Sequence, residues 1–152
     1  MSKPFWPDKI VVHHSLTKDS QTVSWQAIRR YHQSLGWPEI GYHAGVELIN
    51  DGYEVLWGRR WDVPGAHTKG QNADSMGICF VGNYDEDAPS DTMLLVGAKV
   101  IAYWMKIYVI SSEEIYPHHK FADYKTCPGT LFPVDKLREM AGAIVAGEYG
   151  DV

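Results

Sequence analysis

The stretch MGICFVGNYDEDAPSDTMLLVGAKVIAYWMKIYVI, Met76 to Ile110, decides the fold. Its opening run, Met76 to Val81, is short, apolar and closed by Gly82-Asn83, which is how a buried strand reads. An acidic segment, Asp85 to Asp91, then leads to Ser90 or Asp91, either of which can cap a helix N-terminus. The segment from Met93 to Ile110 is apolar nearly all round, interrupted by Lys99 and Lys106. Those two charges make it a buried helix and not a membrane span. Such a helix has to be covered on more than one side, so it packs across a sheet with more of the chain above or beside it. A strand feeding a sheet-covering helix is the unit of an α/β domain.

Working upstream, Lys9 to His13 (KIVVH) is a second short β-branched run, ending in polar residues as a strand that stops at a site would. Ser24 offers an N-cap for a helix in which Trp25, Ile28, Tyr31 and Leu35 recur at near-helical spacing, with Gly36 just past its end. Ala44 to Ile49 and Tyr53 to Trp57 flank Asn50-Asp51-Gly52, a turn sequence suited to positive φ, and predict a hairpin. Gly58 to Asp74 is a long Gly- and Pro-containing loop, a length that is often functional in a small domain. Downstream, Ile115-Tyr116 predicts a brief strand. Pro133 to Ala146 carries Val134, Leu137, Met140, Ala141 and Ile144 at helical spacing, with Pro133 suited to the first turn.

At 152 residues, 45% hydrophobic and 22% charged, the chain has the size and composition of one globular domain. A formal charge of −5 does not suit a protein that lives on the phosphate backbone, so no nucleic-acid partner is expected. The N-terminal MSKPFWPDKIVV shows no secretory signal, and no membrane anchor is expected. Two cysteines, Cys79 and Cys127, allow at most one bridge, which favours metal or structural roles over a disulfide framework.

Four of the seven histidines fall in two adjacent pairs, His13-His14 and His118-His119, each after a short strand. Side chains alternate along a strand, so one member of each pair can aim at a common metal while the other packs or meets solvent. Cys127 lies nine positions after His118, in a loop ending Cys-Pro-Gly that can fold a thiolate back to the strand end. Two imidazoles and one thiolate suit Zn²⁺, and three protein ligands leave its fourth position open, as in catalytic zinc sites. Zinc lowers the pKa of its water toward ~7, so the expectation is a hydrolase.

The segments VVHHS, IGYHAGVELINDG, GRRWDVPGAHTKGQNADSMGICFVGNY and PHHKFADYKTCPG, in this order, resemble zinc-dependent N-acetylmuramoyl-L-alanine amidases, the superfamily that includes amidase-type phage lysozymes and peptidoglycan recognition proteins. The resemblance spans roughly residues 9 to 140. It implies a single α/β domain over residues 1–152, core about 9–146, with a central mixed β-sheet flanked by about three α-helices. It places the metal ligands on His13, His118 and Cys127, with His119 a rival to His118 because the segment between histidine and cysteine is often one residue shorter in the family. It places catalytic roles on Tyr42 and Lys125: Lys125 with the metal would stabilise the oxyanion, and Tyr42 would orient the water or shuttle its proton. His67 and Thr68 would line the groove for glycan or peptide, and Trp61 is the groove candidate among the tryptophans.

The remaining residues take plainer readings. His14 and His119 are packed or solvent-facing, and His32 is helix surface. His43 either supports a ligand or is hydrogen-bonded in the core. Cys79 is a buried small hydrophobe, Trp25 and Trp104 are core, and the acidic stretch is a solvated loop. The implied activity is hydrolysis of the amide between N-acetylmuramic acid and L-alanine of bacterial peptidoglycan, as in a phage endolysin that is cytoplasmic until released to the wall. A muropeptide-recycling amidase and a non-cutting peptidoglycan-binding module are the alternatives. A monomer is the default, and some phage amidases also bind a polymerase.

Overall fold

The computed structural model describes residues 4–16 and 25–148. A five-stranded sheet in the order β3-β2-β4-β1-β5 forms its centre. The strands are β1 (Lys9–His14), β2 (Ala44–Ile49), β3 (Gly52–Trp57), β4 (Ser75–Phe80) and β5 (Ile115–Pro117). β4 runs parallel to β1 and β2, β5 runs parallel to β1, and β2 and β3 form the antiparallel hairpin, so the sheet is mixed as expected. Asn50 takes the positive φ that its turn requires.

β4 is buried along its whole length, and its side chains divide the molecule into two layers. Met76, Ile78 and Phe80 join Ile10, Val12, Ala44 and Val46 in the main core. Over that face lie helices α2 (Asp91–Tyr108) and α3 (Val134–Val145), which also pack on each other and so cover α2 on two sides. Ser90 is the cap, its Oγ accepting the Met93 amide at 3.1 Å. Pro133 stands at the N-cap of α3 and not within its first turn.

On the opposite face a smaller cluster of Cys79, Val81, Ile40 and Trp25 joins the sheet to α1 (Trp25–Ser34). Trp25 sits where Gly45 leaves room, since a Cβ there would come within 2.2 Å of its ring. The Ser24 cap lies outside the described residues. Glu47, reaching across from β2, accepts the Trp25 amide at 3.3 Å. The expected apolar face of α1 is only partly realised, because Tyr31 and Leu35 are exposed. No helix among the described residues is long and apolar enough to cross a membrane.

Candidate metal centre and cleft

Parallel strands deliver their C-terminal ends to one edge of a sheet, where α/β proteins commonly place their sites. Val12 of β1 pairs with Pro117 of β5, so the next residues, His13 and His118, emerge side by side with ring centroids 4.5 Å apart. His118 does not belong to a strand. It opens a short 3-10 turn, His118–Lys120, and it is this turn, not strand alternation, that buries His118 and leaves His119 exposed. The chain then reverses through Asp123-Tyr124, where the Lys125 amide donates to Ala122, and brings Cys127 back to the end of β1.

His13, His118 and Cys127 each offer a ligand atom, all within 4.8 Å of one another, and all three residues are buried. His119 is not in the group. Cys127 Sγ accepts the His14 amide at 3.4 Å and lies 3.8 Å from His13 Nδ1. Burial lowers the pKa of both rings, His118 to about 4, with nearby positive charge from Lys125 adding to the effect. Burial also pushes the Cys127 thiol up to about 11, against the His14 amide and Lys125, which favour the thiolate. Two neutral imidazoles and a thiol that a cation would deprotonate fit a borderline-soft divalent ion such as zinc.

These groups stand in a cleft of about 750 Å³, lined also by Tyr42, Lys125, Tyr31, His32, Trp37 and Tyr124. The Tyr42 ring lies 5.2 Å from that of His13, and burial with the neighbouring Cys79 and Cys127 sulfurs holds its hydroxyl protonated well above the ordinary tyrosine range. The Lys125 ammonium stands at the exposed rim, 5.9 Å over the Tyr124 ring.

Taken with this geometry, the sequence profile of N-acetylmuramoyl-L-alanine amidases matches residues 2–130. The chain belongs to the N-acetylmuramoyl-L-alanine amidase family. The endolysin of Escherichia phage T7 is 34% identical over 124 residues, 80% of each chain. Peptidoglycan-recognition protein SC1a of Drosophila melanogaster is 32% identical over 126 residues, 79% of this chain and 66% of that protein. The solved N-acetylmuramoyl-L-alanine amidase LysC from Clostridium intestinale URNW superposes with a TM-score of 0.78 at 28% identity, over 91% of this chain and 89% of its own.

Two groove expectations for this amidase need correction. Trp61 is not at the cleft: it packs on Trp57, Tyr103 and Trp104 against the main core, because the loop after β3 crosses to the α2 side of the sheet. Thr68 is 1% exposed, its Oγ1 within hydrogen-bond distance of both His67 Nδ1 and His13 Nε2. His67 reaches the cleft only as its floor, beneath His13.

His43 is a core residue with both nitrogens used, Nε2 on the Val63 carbonyl and Nδ1 on the Gly77 amide. His14 packs with Nδ1 accepting the Tyr84 amide. His32 is more than helix surface: its Nδ1 accepts the Gly41 amide, and its ring lies 4.8 Å from Trp37 at the cleft wall. Asp85, placed by sequence in a solvated loop, accepts from Thr126 Oγ1 and the Thr130 amide, both at 2.8 Å, and so grips the loop carrying Cys127. Its position directly after the buried strand end, GNYD, was the available signal.

Proposed function

We propose that this amidase cleaves the bond between the lactyl group of N-acetylmuramic acid and L-alanine in bacterial peptidoglycan, as a phage endolysin does, and that it depends on one zinc ion. The observation that carries the reading is the convergence of His13, His118 and Cys127 at the floor of an open cleft in a chain of this family. Bound by these three, zinc supplies a Lewis acid and lowers the pKa of water.

The chain's own residues supply the rest. Neutral His13 and His118 present lone pairs, and the His14 amide stabilises negative charge on Cys127 Sγ. Lys125, at the cleft rim, donates to the scissile carbonyl oxygen as that atom gains charge. Tyr42 keeps its proton, so it acts as a hydrogen-bond donor that orients the reacting groups and not as a phenolate base. The exposed rings of Tyr31 and Tyr124 give the substrate apolar walls.

Mass spectrometry of purified sacculi after digestion, with and without chelator, tests this. Free stem peptides with a new L-alanine amino terminus, lost on chelation and restored by zinc, are expected. Sacculus binding without any new amino terminus would overturn the hydrolytic reading.

A further inference from the structure

The histidine of the GAHTKG run stands under a proposed zinc ligand, and its hydrogen bonds have a forced direction. His13 Nε2 lies 3.0 Å from His67 Nδ1 and 3.2 Å from Thr68 Oγ1, and Thr68 Oγ1 lies 2.8 Å from His67 Nδ1. On its far side His67 Nε2 meets Ser75 Oγ at 3.5 Å, and the ring also hydrogen-bonds the Ser75 backbone. Ser75 Oγ in turn donates to the Gln71 carbonyl at 2.7 Å.

A carbonyl only accepts, so the Ser75 hydroxyl proton is committed to Gln71 and its oxygen can only accept from His67. A neutral imidazole carries one proton; with it on Nε2, His67 Nδ1 has a lone pair and must receive. Thr68 can give its hydroxyl proton to His67 Nδ1 at 2.8 Å and accept from His13 Nε2 at 3.2 Å. Were it to donate to His13 Nε2 instead, His67 Nδ1 would face two acceptors with no proton between. The arrangement that satisfies all three contacts therefore carries a proton on His13 Nε2. That leaves His13 Nδ1, the nitrogen facing Cys127 Sγ at 3.8 Å, as the free ligand atom.

The His67 ring is also seated by shape. A Cβ on Gly77 would come within 2.5 Å of His67 Cδ2, and one on Gly65 within 2.6 Å of the same atom. Asn72 Oδ1 accepts both the His67 and Thr68 amides at 2.9 Å, fixing the backbone from which the ring projects.

We propose that His67 is a positioning residue that sets the tautomer and ring angle of His13, through a directed chain running from the Gln71 carbonyl by way of Ser75 and His67. It does not bind substrate. This rests on the zinc reading above, and neutral imidazole replaces the carboxylate that often supports a zinc-bound histidine, so the ligand is oriented without added negative charge.

The test uses the full-length chain loaded with zinc. Nitrogen-15 NMR of the histidine rings should show His67 protonated at Nε2 and bare at Nδ1. His67→Leu should weaken zinc about 10–100-fold in competition with a chelator, with KM for peptidoglycan fragments little changed once zinc is saturating. His67→Asn, which keeps an acceptor near the Nδ1 position, should recover most of that loss. Should the leucine variant not fold, the wild-type tautomer and the asparagine variant decide.

A His67 proton on Nδ1, zinc affinity unaltered in His67→Leu, or a loss expressed wholly in KM would overturn the assignment. Failure of the wild type to bind zinc would instead overturn the zinc reading, and the His67 tautomer stays readable in that case.

Discussion

Tyr42 and Lys125 meet the cleft from different depths, one held among sulfurs and imidazoles, the other at the solvent rim. Each offers a single donor to a developing charge, and loss of one such donor costs about 3 kcal/mol, or roughly 10²-fold in rate. Tyr42→Phe and Lys125→Ala should therefore each lose about that much in kcat. Their sacculus binding should persist, which a pull-down with zinc-loaded protein checks; near-normal turnover removes that residue from the mechanism. Trp61 makes the opposite case. Because it packs on Trp57, Tyr103 and Trp104, Trp61→Ala should lower the melting temperature while leaving kcat/KM of the surviving protein near wild type. A large fall in kcat/KM without a fall in stability would return Trp61 to the substrate path.

Among the elements, the loop from Lys125 to Phe132 has no strand or helix of its own, yet it carries one of the three proposed ligands. It is held from the β4–α2 connection: Asp85 takes Thr126 and Thr130, and the Tyr84 carbonyl takes the Leu131 amide at 2.8 Å. Both Asp85 hydrogen bonds are solvent-exposed, so each contributes about 1 kcal/mol or less. Asp85→Ala should therefore loosen Cys127 and weaken zinc roughly tenfold, with Asp85→Asn falling between, as read by chelator competition. Equal affinities across the three proteins would show that the Tyr84 carbonyl and the His14 amide suffice. On β4 the alternation of side chains sends Met76, Ile78 and Phe80 to the α2 layer and Cys79 to the site layer, beneath Tyr42. One strand thus ties the packing of the core to the floor of the cleft.

For the molecule as a whole, the buried histidines make stability depend on acid. Burial lowers His43 from 6.5 to about 4, His67 to about 3 and His118 to about 4. Their folded pKa values lie below the unfolded one, so between them the unfolded chain binds more protons. The stability is complete above pH 6.5 and is lost as pH falls from there toward 4. His43 alone accounts for about 3 kcal/mol of this loss. The melting temperature of the metal-free protein should fall steeply between pH 6.5 and 4, and a flat profile would contradict the buried neutral rings. Zinc at 100 times its dissociation constant should add about 2.7 kcal/mol, raising the melting temperature by roughly 5–10 °C at neutral pH. An unchanged melting temperature on zinc addition would argue against a preformed centre.

The amino-acid sequence alone determined the layers and the order of the elements. A β4 that is apolar after Ser75, an α2 that is apolar nearly all round and a turn at Asn50 each encode their structure locally, through periodicity and backbone preference. The candidate ligands were legible through resemblance more than through spacing, because a distant pair of histidines and a cysteine occur together in many chains by chance. Tertiary structure decided which side each residue serves. His118 and not His119 faces His13 because a 3-10 turn follows β5, Trp61 is drawn to the α2 layer, and His67 lies under His13 in a seat cut by Gly65 and Gly77. Those outcomes depend on contacts between segments distant in the chain, and directionality as well as proximity: only the folded molecule brings the Gln71 carbonyl, Ser75 and two imidazoles into line.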